Sequence, residues 1–296
     1  MRKTTNILIT GANGQLGRET ARLLADDPRF DVRLTDVDQL DITDADAVER
    51  FVGEFMPDFI VNCAAFTAVD RAEDDSELAR LVNVQATAVL AATARRHDIK
   101  VVHVSTDYVF DGTGCRPYRE DDPTAPTSVY GATKLAGEQE LMTTIPGQAV
   151  ILRTAWLYSP HGKNFVKTML ELGKSRDSLK VVFDQVGSPT SATDLAQAIL
   201  TVITSPEWHP GIYHFTDEGA ISWYDFTKAI HRLAGITCDV APCRSEEFPA
   251  KARRPHYSVL DKTKFKTTFS AVIPYWEDSL RECLSRLDAL KTEITR

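Results

Sequence analysis

The chain has 296 residues, 43% of them hydrophobic and 26% charged, which is ordinary for a globular protein with a sizeable core. Its net charge of −8, from 34 Lys and Arg against 42 Asp and Glu, argues against a nucleic-acid-binding surface. Its apolar runs fall short of the ~20 residues that span a bilayer, and the N-terminal stretch lacks the apolar segment of a secretory signal. The five cysteines are dispersed without a C-x-x-C pair. We therefore expect a cytoplasmic protein that binds neither nucleic acid nor membrane and has no thiolate zinc site.

A glycine-rich turn follows the first predicted strand. Residues 6–10 form a short apolar run, after which come Gly11, Gly14 and Gly17 and a helical pattern that reaches about Ala25. Glycines allow the backbone to turn tightly and to approach a pyrophosphate, whose charge is favoured at the helix N-terminus. The spacing is G-x-x-G-x-x-G rather than G-x-G-x-x-G, but its place between strand and helix predicts a dinucleotide site.

Asp36 ends a second predicted strand, residues 31–35. A carboxylate about twenty residues beyond such a loop accepts hydrogen bonds from the adenosine ribose hydroxyls. It also repels a 2′-phosphate, and Val37 and Asp38 follow it where an arginine would be needed to offset that repulsion. The sequence therefore favours NADH over NADPH, with a solvated acid in a turn as the alternative.

Strands and helices continue to alternate through the next hundred residues. The pattern predicts a helix at 44–55, a strand at 58–62, a helix at 76–96 and a strand at 100–105. Such alternation predicts an α/β fold with a doubly wound parallel sheet, the Rossmann architecture, in which ligands bind beyond the carboxyl ends of the strands. The glycine loop, Asp36, Ala64 with Ala65, and Ser105 with Thr106 all fall on that edge.

Tyr130 and Lys134 are four residues apart in a predicted helix, residues 130–141, and so share one helical face. A free tyrosine has a pKa of about 10, and a neighbouring cation favours the phenolate. Tyr130 is therefore a candidate proton donor or acceptor that Lys134 tunes. Because Tyr-x-x-x-Lys is frequent by chance, a Tyr/Lys pair on a helix surface is the alternative.

The remaining chain alternates less regularly. The pattern predicts a loop at 112–128, a strand at 149–153, a helix at 164–173, a strand at 179–183, a turn-rich loop at 184–190, a helix at 193–204, a strand at 211–215, a helix at 222–233, an irregular segment at 238–258 and a helix from 275 to about 290. We expect a dinucleotide-binding Rossmann domain over residues 1–155, to which parts of 185–220 return. Residues 156–296 would form a smaller C-terminal, mainly substrate-binding lobe.

Together these motifs resemble the extended short-chain dehydrogenase/reductase superfamily and, within it, the dTDP-4-dehydrorhamnose reductase family. The resemblance covers essentially the whole chain. It is carried by residues 11–17, 62–65, 67–73, 105–110, 130–138, 153–156, 184–190 and 252–255. The runs Ser-Thr-Asp-Tyr-Val-Phe at 105–110 and Asp-Gln-Val-Gly-Ser-Pro-Thr at 184–190 are its most specific parts.

The resemblance implies that NADPH or NADH reduces the C4 ketone of a dTDP-linked 4-keto-6-deoxy-L-sugar. Tyr130 would protonate the developing alkoxide, and Lys134 would bind the nicotinamide ribose and lower the pKa of the phenol. Thr106 would hydrogen-bond the carbonyl or alkoxide oxygen, a kind of contact worth ~3–4 kcal/mol in the best cases.

The resemblance also implies which residues bind the two ligands. The cofactor contacts would be Gly11, Gly14, Gln15, Leu16, Gly17, Asp36, Asp41, Ile42, Ala64, Ala65, Thr67, Tyr130 and Lys134. The substrate contacts would be Thr106, Asp107, Trp156 and either Arg253 or Arg254, since a guanidinium suits diphosphate oxygens. A core tryptophan and surface arginines are the alternatives for the last three.

A monomer or a homodimer is expected. Some members of the family are dimers bridged by magnesium on glutamates, and Glu19 matches one of those positions. Thr193 occupies the position of another such glutamate, with Asp194 next to it. We therefore predict no metal.

Two other functions stay open. An epimerase or 4,6-dehydratase of the same superfamily would cycle a tightly held NAD, but a dehydratase needs acid–base carboxylates beside its threonine, and Tyr108 follows Thr106 and Asp107 here. A non-catalytic regulatory subunit of the same fold would keep the dinucleotide site. The complete set of Thr106, Tyr130 and Lys134 favours an enzyme.

Overall fold

The computed structural model describes residues 4–25, 27–248 and 250–294. The strands are β1 (Thr5–Thr10), β2 (Phe30–Thr35), β3 (Phe59–Asn62), β4 (Lys100–Thr106), β5 (Ala149–Thr154), β6 (Leu157–Tyr158), β7 (Ser178–Val182), β8 (Val186–Gly187), β9 (Thr190–Ser191), β10 (Gly211–His214), β11 (Ile221–Ser222) and β12 (Asp239–Cys243). The helices are α1 (Gln15–Leu24), α2 (Ala45–Phe55), α3 (Val69–Ala72), α4 (Ser76–Arg80), α5 (Ala86–His97), α6 (Val129–Thr144), α7 (Phe165–Ser175), α8 (Ala192–Ile203), α9 (Trp223–Leu233), α10 (Thr263–Phe269) and α11 (Trp276–Ile294).

The central sheet is parallel, with six strands in the described part of the chain in the order β10-β5-β4-β3-β1-β2. Its inner strands read as continuous apolar runs because helices cover both faces. In β1, Ile7 and Ile9 pack with Leu195 and Ile199 of α8. Leu8 points to the opposite face, into the core that includes residues of α2, α5 and α6. The predicted doubly wound sheet is thereby confirmed.

A second core lies outside the sheet and joins α7, α9, α11 and the β7–β12 pair. Its centre includes Val166, Phe226, Ile230 and Leu280, all fully buried. The chain returns from this region to the sheet at β10, which pairs in parallel with β5. The division into a sheet domain and a smaller C-terminal lobe stays a prediction. No helix in the described ranges is long and apolar enough to cross a bilayer.

The predicted helix over 76–96 is present, but a π-helical turn at Leu81–Gln85 lies within it, between α4 and α5. Asn83 in this turn accepts from Phe66 N at 2.8 Å and donates through Nδ2 to Phe66 O at 3.2 Å and to Thr133 Oγ1 at 3.1 Å. In this turn the side-chain amide of Asn83 therefore binds both the segment that contains Phe66 and helix α6. π turns often occur at functional sites for such reasons.

The segment predicted as irregular, 238–258, contains a strand, β12, that pairs in parallel with β7. Pro242 weakens the strand signal in the sequence because proline has no backbone N–H to donate. It is tolerated because β12 pairs on one side, with β7. Two short helices were also missed, α3 and α10. Three threonines give α10 a low helix propensity, and the burial of Phe265 in the sheet core offsets it.

Helix α6 lies close to the segment after β4 at one glycine and close to the π turn at another, and an ion pair joins it to β5. A Cβ at Gly131 would lie 2.2 Å from Tyr108 O, and one at Gly137 would lie 2.3 Å from Asn83 O, so only glycine permits these approaches. Arg153 of β5 donates through Nε and Nη2 to the Glu138 carboxylate, at 3.0 and 2.7 Å, with both side chains 2% exposed.

We expect Glu138→Gln to lower the free energy of unfolding by about 3–5 kcal/mol, because it leaves the buried Arg153 charge uncompensated. Urea unfolding measures this. Asp278→Asn, which breaks an exposed pair with Arg281, is the matched control and should cost less than about 1 kcal/mol. An equally small loss for both variants would show that the buried pair is not needed for stability.

Candidate active site

The glycine turn leaves the N-terminus of α1 open to an anion. Gly11 has φ +66° and Gly14, the N-cap, has no side chain to occupy the first N–H groups. A Cβ at Gly11 would lie 2.6 Å from Ala64 N, and one at Gly17 would lie 2.4 Å from Gly11 O. The three glycines therefore allow close packing of the turn, helix and β3 end, with free N–H groups suited to a pyrophosphate.

A cavity of about 440 Å³ lies beside this turn, beyond the ends of β1, β2 and β3. Asp36 lines this cavity, and two hydrogen bonds orient its carboxylate. Its Oδ2 accepts from Asn13 N and its Oδ1 accepts from Val37 N, each at 2.9 Å. The cavity is lined by Gly11, Asn13, Gly14, Asp36, Val37, Leu40, Asp41, Ile42, Thr43, Cys63, Ala64, Ala65 and Val82. Seven of the predicted cofactor contacts thus come together in one place.

Other predicted cofactor contacts lie elsewhere. The side chain of Leu16 packs in the sheet core. Gln15 Oε1 accepts from Asn164 Nδ2 at 2.9 Å and from Ser159 Oγ at 3.2 Å, so its side chain joins the turn to the segment before α7. Thr67 is exposed. For Gln15 and Leu16, the backbone at the start of α1 is what faces the predicted pyrophosphate position.

Thr106, Asp107 and Tyr130 form a cluster at the carboxyl end of β4. The Thr106 hydroxyl donates to Asp107 Oδ1 at 3.0 Å and accepts from Tyr108 N at 3.2 Å. Burial raises the pKa of Asp107 to about 6, against the effect of the Ser258 and Thr106 hydroxyls. Burial also raises the pKa of Tyr130 above its ordinary value, and hydrogen bonding with Thr106 opposes that rise.

Lys134 lies behind this cluster and is 2% exposed. Its Nζ donates to Val104 O at 2.7 Å and lies 3.2 Å from His103 Nε2. Burial lowers the pKa of Lys134 to about 8. Burial has the largest effect on the pKa of Tyr130, and the amine of Lys134 is turned toward β4, so the expected lowering of this pKa by Lys134 stays a prediction.

Trp156 forms part of an aromatic wall on the side of the second core. It has φ +50° and stacks on Trp223, with ring centroids 3.5 Å apart and planes at 10°. A Cβ at Gly187 would lie 2.7 Å from the Trp156 ring, so the glycine of the 184–190 motif makes room for it. The sequence pattern placed Trp223 only at the start of a helix. The stack of Trp223 on Trp156 could not be predicted, because the two residues are far apart in the sequence.

The structure distinguishes the two candidate arginines. Arg254 donates through Nη2 to Asp70 Oδ2 at 2.5 Å and through Nη1 to the Tyr108 hydroxyl at 3.2 Å, whereas Arg253 is exposed. The ring of Tyr108 packs edge-on against that of Tyr130, at 5.5 Å between centroids. Arg254 is therefore linked through Tyr108 to the cluster that contains Tyr130. Asp70 was singled out only as part of a motif.

A larger cavity, of about 770 Å³, extends from Arg254 and Asp70 along the second core. Its walls are mostly apolar, with Phe165, Met169 and Trp223 among them. Arg176 adds positive charge, and Lys180 is paired with Glu247 in the same wall at 3.6 Å. An apolar cleft with a few cationic groups is suited to a ligand that combines flat rings with phosphates.

Glu19 is fully buried and neutralised by arginine. Arg286 donates to its two carboxylate oxygens at 2.7 and 2.9 Å, and the Thr193 hydroxyl donates to Oε2 at 3.1 Å. Although burial opposes it, Arg286 and Arg22 hold the pKa of Glu19 below its usual range. Among the described residues, no group of three or more His, Cys, Asp or Glu is arranged to hold a metal ion.

Comparisons with known proteins show the family to which the chain belongs. A family model described as the RmlD substrate binding domain matches residues 5–289. The chain is 43% identical over 285 residues to a dTDP-4-dehydrorhamnose reductase of Aggregatibacter actinomycetemcomitans, covering 93% of this chain and 97% of that one. It is 44% identical over 291 residues to a probable dTDP-4,6-dihydroxy-2-methyloxan-3-one 4-ketoreductase of Streptomyces antibioticus, covering 98% of each.

Among solved structures, a dTDP-4-dehydrorhamnose reductase from Bacillus anthracis in complex with NADP superposes with a TM-score of 0.92 at 38% identity, covering 96% of this chain and 100% of that one. The predicted fold, the predicted oxidoreductase class and the use of NADPH or NADH are thereby confirmed. The chain belongs to the RmlD family, that of the dTDP-4-dehydrorhamnose reductases.

Proposed function

We propose that this chain catalyses the NAD(P)H-dependent reduction of the C4 ketone of dTDP-4-keto-6-deoxy-L-mannose to dTDP-L-rhamnose, with Tyr130 as the proton donor. The observation that carries the proposal is the cluster of Thr106, Asp107 and Tyr130 with Lys134 behind it. This cluster lies at the same edge of the sheet as the dinucleotide cavity and next to the aromatic wall.

The residues at the strand ends fit a nicotinamide dinucleotide. The open N-terminus of α1 would hold the pyrophosphate, and Asp36 would accept from the adenosine ribose hydroxyls. Ala64 and Ala65 leave space for the cofactor beside β3. When bound, the reduced nicotinamide supplies the hydride that the ketone carbon accepts.

The chain's own groups handle the oxygen of the ketone. Tyr130 would give its hydroxyl proton to this oxygen as negative charge develops on it, and the Thr106 hydroxyl would hydrogen-bond the same atom. Lys134, protonated at neutral pH, would stabilise the phenolate that Tyr130 becomes and bind the nicotinamide ribose. Asp107 would accept from a sugar hydroxyl.

The substrate would lie along the aromatic wall. Trp156 and Trp223 present flat apolar surface, and the Arg254 guanidinium would pair with the diphosphate. The identity of the sugar rests on the relatives, one of which is named for a different ketone, that of a dTDP-4,6-dihydroxy-2-methyloxan-3-one.

The decisive experiment measures the oxidation of NADH and of NADPH by the purified protein. The loss of absorbance of the reduced nicotinamide reports this oxidation. The substrate would be dTDP-4-keto-6-deoxy-L-mannose made by coupled enzymes. Substrate-dependent oxidation that yields dTDP-L-rhamnose would support the proposal. If the cofactor binds but neither form is oxidised, the sugar is a different one or the chain is a regulatory subunit.

Tyr130→Phe should lower kcat by about 10²–10⁴-fold, because it removes the proton donor, and should leave the Kd for NADPH nearly unchanged. Steady-state kinetics and a fluorescence titration of the cofactor measure the two effects. Tyr213→Phe is the matched control, since the Tyr213 hydroxyl donates to His209 O, away from the site. Undiminished turnover in the Tyr130 variant would refute its role.

Asp36→Asn should raise the ratio of kcat/KM for NADPH to that for NADH by about tenfold, because it removes a negative charge that would face a 2′-phosphate. The asparagine keeps one oxygen for Asn13 N. Asp38→Asn, an exposed acid two residues on, should change the ratio much less. Equal ratios in wild type and in the Asp36 variant would show that Asp36 does not face the ribose.

The pH dependence of kcat/KM should be bell-shaped. Because the pKa of Lys134 is lowered to about 8, its charge is present below that pH and lost above it. Because the pKa of Asp107 is raised to about 6, only above that pH is it a carboxylate that accepts on both oxygens, whereas below it one oxygen carries a proton. The value of kcat/KM should therefore decrease below about pH 6 and again above about pH 8. Asp107→Asn should abolish the acidic limb and keep the alkaline one, and an unchanged acidic limb would contradict the assignment.

A further inference from the structure

A chain of buried polar groups crosses the sheet and ends at Lys134. The Thr10 hydroxyl donates to Asn62 Oδ1 at 2.7 Å, and Asn62 Nδ2 lies 3.0 Å from His103 Nδ1. His103 Nε2 in turn lies 3.2 Å from Lys134 Nζ. The four side chains are at most 2% exposed and come from β1, β3, β4 and α6 in turn.

The backbone fixes the direction of these hydrogen bonds. Ala64 N donates to Asn62 Oδ1 at 3.2 Å, and a backbone N–H can only donate, so this atom of the amide must be the oxygen. Asn62 Nδ2 is then the donor that faces His103, and His103 Nδ1 must accept. A neutral imidazole with an accepting Nδ1 carries its proton on Nε2.

His103 is neutral in this environment. Burial, and then the charge of Lys134, hold the pKa of His103 well below its ordinary range. Its Nε2–H therefore points at the amine of Lys134. Two donors that face each other repel when the amine is protonated, whereas a neutral amine accepts from Nε2–H and still donates to Val104 O.

We propose that Asn62 and His103 are positioning residues that set the protonation state of Lys134. Asn62 holds His103 in the tautomer with its proton on Nε2, and that N–H stabilises the neutral amine. The lysine therefore changes charge close to neutral pH, where proton exchange in the site is most efficient. The kinetic consequence, the position of the alkaline limb, rests on the proposed reductase function, whereas the tautomer does not.

Two other titratable groups act on the same equilibrium, and further charged groups lie on neighbouring segments. Glu138 on α6 and Cys63 after β3 favour the ammonium. Arg153 of β5 neutralises Glu138 through their ion pair. Glu73 accepts from the backbone at the start of α6, and Asp107 follows β4. The substitutions below leave all of these groups in place.

The tautomer can be observed directly in the wild-type protein. Long-range ¹H–¹⁵N correlation spectra of histidine-labelled protein show which ring nitrogen carries the proton, and the signal that disappears in His103→Gln identifies His103. We expect the proton on Nε2. A proton on Nδ1 would make Nε2 an acceptor for the ammonium and would overturn the proposal.

Two variants should move the titration of Lys134, followed by NMR of labelled lysine with Lys134→Met for assignment. Asn62→Asp gives a carboxylate that accepts from Nδ1–H, so Nε2 becomes an acceptor and the midpoint rises by about one pH unit or more. His103→Gln offers the ammonium an amide oxygen without adding charge and should also raise the midpoint. An unchanged midpoint in the folded His103 variant would overturn the proposal.

Thr10→Val is the matched control. It removes the buried hydroxyl that Asn62 accepts from but keeps the contact between Asn62 and His103, so tautomer and midpoint should stay unchanged. The alkaline limb of kcat/KM should move with the midpoint in the two test variants and stay in place in the control. The predicted tautomer in a protein without reductase activity would refute only the proposed function. Reductase activity with the opposite tautomer would refute only this inference.

Discussion

The close approach of α6 to the end of β4 is the constraint on which the rest of the site depends. At Gly131 there is no space for a Cβ beneath Tyr108 O, and one turn further on Lys134 reaches Val104 O. The pair of Arg153 and Glu138 holds the same helix to β5. Because the helix is fixed at these points, Tyr130 can lie beside Thr106 at the edge of the sheet where the dinucleotide cavity opens.

The same packing determines the electrostatics. Burial penalises the charged form of every group in the cluster, so the pKa values of Tyr130 and Asp107 rise while that of Lys134 falls. A helical Tyr/Lys pair alone suggests a cation that acts on a phenol. In the folded chain the stronger effect is desolvation, and the cation is itself close to losing its proton. The two residues are therefore adjusted by their surroundings as much as by each other.

The features that the sequence predicted well are those encoded locally. The glycine turn, Asp36 at the end of β2 and Ala64 after β3 follow short apolar strands, and parallel strands necessarily bring their carboxyl ends to one edge. The strand β12 and the helix α10 were missed because Pro242 and three threonines contradict the local propensity, which tertiary burial overrides. The π turn was missed because Asn83 within it pairs with Phe66, seventeen residues away in the chain, and local periodicity carries no signal of that contact.

The parts of the site that were missed depend on partners distant in sequence. Trp223 acquires its place from a stack with Trp156, and the difference between Arg253 and Arg254 comes from Asp70. His103 has the least local signal of all, because one polar residue in an apolar strand fits a core position as well as a functional one. The direction of the hydrogen bonds of His103 can be assigned only when Asn62 of β3 lies on one side of the ring and Lys134 of α6 lies on the other. A buried polar residue inside a strand is therefore informative once both of its neighbours are known, since its hydrogen bonds then fix where its proton must be.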